Sequence, residues 1–235
     1  MCTVSFVKAN DKIIITSNRD EQVLREPAIE PQSYTVNDKK LIFPKDPKAG
    51  GTWYAIDETG NVLVLLNGAS EKHEVKLPYR KSRGLIVLDI ISGDSPLKMW
   101  QDIDLDNIEP FTLVLFEMRK LYQLRWNGIQ KEMVQLDPEQ NHIWSSSTLY
   151  PKEVRDARQE WFYNFLDTKP EISAVEMYNF HRYTEEGNAQ NGLVINRNDA
   201  MKTLSITQTV IEKKKVLMSH YDLIREHEFA NSFSL

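Results

Sequence analysis

Apolar positions in this chain come mostly in short runs bounded by polar turn residues, the pattern of strands rather than of long helices. The first two runs, residues 2–8 and 12–18, flank Ala9-Asn10-Asp11, a tight polar break. If Asn10 and Asp11 form a two-residue turn, cross-strand partners add to a constant. Lys8 then faces Ile13, Phe6 faces Ile15, Val4 faces Ser17 and Cys2 faces Arg19. A slip of one residue would set Asn18 or Asp20 opposite Cys2 and turn every side chain over. In each register the stretch Asn18-Arg19-Asp20-Glu21 ends up beside residue 2.

The remaining pattern alternates blocks of strands with blocks of helices. Residues 52–57 and 61–67 flank Glu58-Thr59-Gly60 as a second hairpin. Residues 82–92 and 96–102 read as helices, the first largely buried because Leu85, Ile86, Leu88 and Ile90 crowd it. Residues 111–117, 120–125 and 131–136 form an antiparallel meander with Trp126-Asn127-Gly128 as a turn. Pro151 opens a long helix to residue 166, since proline suits the first helical turn. A further helix spans residues 174–182, and two closing strands, 201–211 and 216–221, meet at a solvated turn, Glu212-Lys213-Lys214-Lys215. Ile13-Ile14-Ile15 and the run Val62-Leu63-Val64-Leu65-Leu66 lack alternation, so their strands are covered on both faces. The pattern predicts an α+β protein.

Composition narrows the field. A chain of 235 residues with 41% hydrophobic and 27% charged positions has ordinary globular make-up and can bury a sizeable core. No repeat, low-complexity stretch or linker divides it, so residues 1–235 are expected to form a single domain. A net charge of -5 argues against a nucleic-acid partner, which needs a basic face. No run approaches a membrane span, and Lys8, Asp11 and Lys12 interrupt any secretory apolar stretch. A lone cysteine cannot form an internal disulfide, so the expected compartment is reducing and cytoplasmic.

That cysteine is the candidate for chemistry. Removal of Met1 would leave Cys2 with a thiol and a free α-amine on one residue. Their reference pKa values, about 8.5 and about 7.7–8.0, suit an activated nucleophile and a base near neutrality. N-terminal nucleophile hydrolases use this pairing. Arg19 nearby would favour the thiolate, and a carboxylate such as Asp20 would hold the amine or the guanidinium.

Cys2, Asn18-Arg19-Asp20-Glu21, Gly50-Gly51-Thr52-Trp53 and a strand ending in Leu66-Asn67 together resemble the NRDE family, which includes the transport and Golgi organisation protein 2 homologues. That family is similar in turn to the choloylglycine and penicillin V acylase branch of the N-terminal nucleophile hydrolases. The resemblance implies a four-layer αββα sandwich of two antiparallel sheets between helical layers. It makes Cys2 the nucleophile and Arg19 and Asp20 a charged pair near the terminal amine, with roles that could be exchanged. Asn67 falls where acylases present an asparagine to the oxyanion, although Asn67-Gly68 is also a good turn dipeptide. Asn18, Gly51, Trp53 and Ser146 complete the set as substrate-binding positions. Ser146 is a departure: in Trp144-Ser145-Ser146-Ser147 a serine stands where the family keeps an asparagine, and a hydroxyl is a shorter donor of different geometry.

The resemblance implies cleavage of a linear, non-peptide amide through a Cys2 thioester, on a small-molecule amide or acyl substrate. Its alternative is a non-catalytic protein that binds or traffics haem or acyl lipids in the same cleft, because fold does not guarantee chemistry. No cofactor or metal is implied. His73, His142, His181, His220 and His227 show no zinc spacing and read as scattered surface histidines, with His220 and His227 able to share a helical face. Gly50-Gly51 lacks the spacing of a phosphate loop, and no nucleophile-elbow pattern occurs.

Overall fold

A computed structural model describes residues 3–235. Cys2, and with it the expected Cys2–Arg19 pairing, lies outside the described residues. In chain order the elements are β1 (Thr3–Ala9), β2 (Lys12–Gln22), β3 (Ile29–Val36), β4 (Lys39–Lys45), β5 (Tyr54–Asp57), β6 (Val62–Asn67), α1 (Arg83–Ile91) and α2 (Pro96–Asp102). Then follow β7 (Phe111–Glu117), β8 (Lys120–Trp126), β9 (Lys131–Leu136), β10 (His142–Ser145), α3 (Lys152–Asp167) and α4 (Ala174–Tyr183). The chain closes with β11 (Asn196–Arg197), β12 (Met201–Glu212), β13 (Lys215–Asp222) and β14 (His227–Ser234). They group into two compact units, residues 1–25 with 139–234, and residues 26–138 with Leu235.

The first unit is one antiparallel sheet in the order β10-β1-β2-β12-β13-β14, with β11 on β12. Its β1–β2 hairpin has the register read from the sequence: Lys8 opposite Ile13, Phe6 opposite Ile15, Val4 opposite Ser17, ending at Thr3 opposite Asn18. The two-residue loop is possible because Asn10 takes the left-handed conformation at φ 51°, which asparagine tolerates better than most residues. The lysine turn closes β12 on β13 in the same way, Glu212 opposite Lys215 with Lys213 at φ 53°.

Two helices cover one face of this sheet. Helix α3 begins directly after Pro151, and α4 begins with a capping box in which Ser173 and Glu176 satisfy each other's backbone N–H. Their apolar faces meet Val7, Ala9 and Ile14 of the sheet through Phe162, Met177 and Phe180, with Leu193 closing the cluster. The apolar run of Ile13-Ile14-Ile15 is thereby explained: all three are buried, and neighbouring residues on a strand point to opposite faces.

The second unit is a meander in sequence order, β3 to β9, with α1 and α2 packed on it. Asp57 organises the β5–β6 turn by accepting from the N–H groups of Thr59 and Asn61, both at 2.9 Å. Lys39 Nζ pairs with Asp57 at 2.6 Å and also donates to the carbonyls of Ile91 and Gly93, at 3.1 and 2.8 Å, closing the C-terminal end of α1. At the other end of α1 the backbone of Thr52 bonds to Gly84 O at 3.1 Å. A Cβ on Gly51 would stand 2.3 Å from the carbonyl carbon of Gly84. The backbone that approaches Gly51 closely is that of α1.

The α+β class with antiparallel sheets and helical layers is therefore present, one sheet and one helix pair in each unit. The sequence pattern did not reveal β3, β4, β10 or β14. Strands β3 and β14 are largely polar and solvent-facing, Pro44 interrupts β4, and β10 has only four residues.

Gly51→Ala is expected to lower unfolding free energy by about 2 kcal/mol or more, in the range of overpacking costs, because backbone rather than a flexible side chain must move. Chemical denaturation of the variant checks this; an unchanged midpoint contradicts the tight α1 approach.

Candidate active site

Thr3 lies between Asn18 of β2 and Ser145 of β10, so the N-terminal end of β1 is held on both sides. Its side chain is gripped as well. The guanidinium of Arg158, fully buried on α3, donates to Thr3 Oγ1 and to the carbonyls of Asn191 and Gly192, and stacks 3.6 Å from the centre of the Tyr150 ring. A buried cation needs such saturation of its donors.

Alternation along β2 divides Asn18, Arg19 and Asp20 between two faces. Asn18 points under α4, where its Nδ2 donates to the carbonyls of Leu193 at 2.7 Å and His181 at 3.1 Å. Its Oδ1 is therefore the partner of His181 Nδ1, which must carry the proton. That leaves His181 Nε2 as the acceptor of the Ser5 hydroxyl at 2.7 Å. Burial, aided by the charge of Arg158, pushes the His181 pKa down to about 3, so the imidazole is neutral. Asn18, Ser5 and His181 form a closed polar lock joining β1, β2 and α4.

Asp20 accepts from the Tyr150 hydroxyl at 2.6 Å and from Thr203 Oγ1. Thr203 is its cross-strand neighbour on β12 and also receives the Ile195 N–H at 2.9 Å. Tyr150 therefore links the Asp20 carboxylate to the Arg158 cation through one ring. Arg19 sits on the opposite face, buried, in register with Ser205 of β12. One position along, Ser17, Thr207 and His220 lie in line across β2, β12 and β13, with His220 Nδ1 2.8 Å from Thr207 Oγ1. Burial pushes His220 down to about 4, and of the two charges beside it, Asp222 opposes that shift while Arg19 adds to it.

Ser146 follows β10 directly. It is buried, its Oγ lies 3.0 Å from Thr148 Oγ1, and its carbonyl receives the N–H of Tyr150. The serine of the departing motif thus belongs to the turn that delivers Tyr150 and the start of α3. In the second unit, Trp53 and Asn67 lie at the same end of the β5–β6 pair, where Leu65 N–H bonds to Trp53 O at 2.9 Å. Trp53 is buried and Asn67 half-buried, and Gly68 takes the turn conformation at φ 83°. Asn67 is the last residue of β6, and Gly68 turns the chain directly after it.

Sequence reasoning did not single out Ser5, Arg158, Thr203 or Ser205, and it set His181 and His220 aside as surface residues. The expectation of scattered surface histidines is corrected: His181 and His220 are buried, and His220 lies on a strand rather than a helix. The signal available was His181 in the apolar stretch of α4 and His220 within β13; their partners lie too far along the chain for spacing to reveal. Among the described residues, no group of three His, Cys, Asp or Glu side chains could hold a metal ion, and no helix is long and apolar enough to cross a membrane.

The sequence model of Transport and Golgi organisation 2 matches residues 1–220. The chain belongs to that family. No curated protein matches it in sequence. Three solved structures are similar to this Transport and Golgi organisation 2 family member in fold. An N-acylethanolamine-hydrolyzing acid amidase ortholog from Caenorhabditis elegans aligns with a TM-score of 0.62 at 9% identity, covering 88% of this chain and 92% of its own. An arginine-to-leucine variant of the conjugated bile acid hydrolase from Clostridium perfringens gives 0.54 at 8% identity, covering 99% and 92%. A cysteine-to-alanine variant of the same hydrolase gives 0.52 at 8% identity, covering 100% and 97%. The chain therefore has an N-terminal nucleophile hydrolase-like fold.

Both buried histidines have folded-state pKa values below the unfolded value of about 6.5. Their contribution to stability is complete above that pH and is lost as pH falls toward about 4 for His220 and about 3 for His181. Each adds a slope of up to about 1.4 kcal/mol per pH unit in that window. Denaturation between pH 7 and 4.5 is expected to show stability falling with acid, and His181→Gln is expected to be weaker at neutrality with a slope shallower by one proton. An unchanged slope contradicts the neutral, buried assignment.

Proposed function

We propose that residues 1–235 form one N-terminal nucleophile hydrolase domain that cleaves a linear amide of a small molecule in a reducing, cytoplasmic setting. The observation that carries this reading is the way the start of β1 is held. Thr3 is fixed by Arg158, Asn18 and Ser145, and Arg19 and Asp20 follow on the adjoining strand. A nucleophile bonded to Thr3 is thus attached to a residue paired on both sides in the sheet and held through its side chain, as productive geometry demands. The fold likeness to amidases supports the same reaction class.

In this mechanism Met1 is removed and Cys2 is the nucleophile. Its α-amine takes the thiol proton, the thiolate adds to the amide carbonyl, and the amine passes the proton to the leaving nitrogen as the C–N bond breaks. Water then attacks the thioester, giving the acid and regenerating the thiol. Arg19 favours the thiolate electrostatically. Asp20 is held in orientation by the Tyr150 and Thr203 hydroxyls and steadies the charged groups beside it. Asn67 is assigned to the oxyanion, with Gly51 and Trp53 shaping the acyl or amine side. Asn18, expected to meet substrate, acts instead as a positioning residue, since its amide is engaged with His181 and Leu193. Ser146 contributes through the turn to Tyr150.

Intact mass comes first: the purified protein is expected to lack Met1. Trapping with an electrophilic acyl library should then give a single adduct on residue 2, read by mass. Cys2→Ala is expected to abolish labelling, and Cys2→Ser to retain the fold while losing most turnover, because an alkoxide forms far less readily than a thiolate. Retention of Met1, or undiminished ligand binding and cellular function in Cys2→Ala with no turnover in the parent, decides for the haem or acyl-lipid binding role instead.

A further inference from the structure

The first unit's sheet has two edges, and they end differently. At one, β10 has only four residues. At the other, β14 has eight, paired with β13 in an unbroken register from Lys215 opposite Ser234 to Asp222 opposite His227. No strand lies beyond β14, and among the described residues no other backbone hydrogen bond reaches it. An open edge of this length is a template for another strand, and folded proteins blunt such edges with proline, lysine, bulges or shortening. The β14 sequence, His-Glu-Phe-Ala-Asn-Ser-Phe-Ser, carries none of these. It also lies beyond residue 220, where the match to the family model ends.

The side chains of β14 make this edge complementary to itself. Glu228, Ala230, Ser232 and Ser234 are exposed on one face, while Phe229, Asn231 and Phe233 are half-buried on the other. Two-fold pairing of one strand with its own copy is antiparallel and sets one residue opposite itself, because rotation about an axis normal to the sheet keeps each side chain on its face. Glu228 at the axis would oppose like charges. Ala230 and Asn231 give the longest overlap. With Asn231 at the axis, Phe229 faces Phe233 of the second copy, and the symmetry repeats this favourable aromatic pair. On the other face Glu228 of the second copy falls opposite Ser234, behind which stands Lys215. Strand spacing puts Lys215 and that glutamate about 10 Å apart at Cα, within the combined reach of the two side chains across a short serine. With Ala230 at the axis the glutamate instead meets Ser232, backed by Leu217, and finds no cation. Tyr221, across from Glu228 within one copy, bonds to its carboxylate and aims it along this row.

We propose that two copies of this chain pair through β14, antiparallel and two-fold with Asn231 at the axis, so that their sheets become one. The occupant of the edge is a second copy because the aromatic pairs and the Lys215–Glu228 row are both satisfied by the strand's own sequence. The pairing is independent of the amidase reading.

The test uses the full chain. Sedimentation velocity at tens of micromolar is expected to give the mass of two chains. Glu228→Lys and Lys215→Glu should each weaken the dimer by about tenfold, since two symmetric exposed pairs change from attraction to repulsion. The double variant should restore it. Within one copy the two positions lie about 20 Å apart along the strands, so rescue has no intramolecular route. In a Cys2→Ala background, Asn231→Cys should form an intermolecular disulfide on mild oxidation, because directly opposed residues fall within disulfide reach. Ser232→Cys, roughly 8 Å from its own copy, should not. The cysteine pair decides even where a charge variant fails to fold. A monomer at every concentration, a dimer indifferent to both single charge variants, or cross-linking at 232 but not at 231 overturns the pairing. Hydrolysis of an amide by a monomer removes the pairing and leaves the proposed reaction; a dimer that hydrolyses none does the reverse.

Discussion

Three consecutive residues on one strand cannot share a face. That constraint on Asn18, Arg19 and Asp20 organises the first unit, because each must satisfy its polar groups in a different place. Asn18 and Asp20 turn toward the helices, and Arg19 turns the other way. On the helical side a carboxylate and an amide would be costly without partners. α4 supplies His181, the turn before α3 supplies Tyr150, and β12 supplies Thr203. The four-letter motif is thus a description of both faces of a sheet at once.

On the helical side, Asn18, Ser5 and His181 form a lock. A neutral histidine between a serine and an asparagine has the outline of a nucleophilic triad, yet Ser5 and His181 are wholly buried and face the underside of α4. What this arrangement does is define geometry. Each partner has a single compatible proton position, so β1, β2 and α4 are held in one register. Arg158 extends the lock to Thr3. Fully satisfied buried networks of this kind specify one arrangement even where their net contribution to stability is modest.

The second unit reaches stability by other means. Its sheet is a sequential meander with largely local pairing, and its helices are tied to it by Lys39 at the end of α1 and by Glu117, which receives the Leu97 N–H at 3.2 Å and the Ser95 hydroxyl at 2.8 Å at the start of α2. Gly51 belongs to this scheme. Its lack of a side chain serves the packing of α1, which limits how far a glycine near a candidate site can be read as a sign of ligand approach.

Local chemistry in the chain settled local structure: the two-residue turns at Asn10-Asp11 and Lys213-Lys214, the register of the first hairpin as far as Thr3, the helix after Pro151 and the doubly covered strands. Each depends on neighbours a few residues apart, where period and turn preference act directly. The strands β3, β10 and β14 were invisible because their few apolar residues are scattered among polar ones or the strand is only four residues long, so no apolar run marks them. The candidate site was legible only in part. Arg19 and Asp20 were legible as a charged pair near residue 2, and alternation along a strand already sends them to opposite faces, whereas the His181 lock and the Tyr150 and Thr203 contacts of Asp20 depend on contacts spanning most of the chain. Burial decides which polar groups must find partners, and burial is a property of the tertiary structure alone.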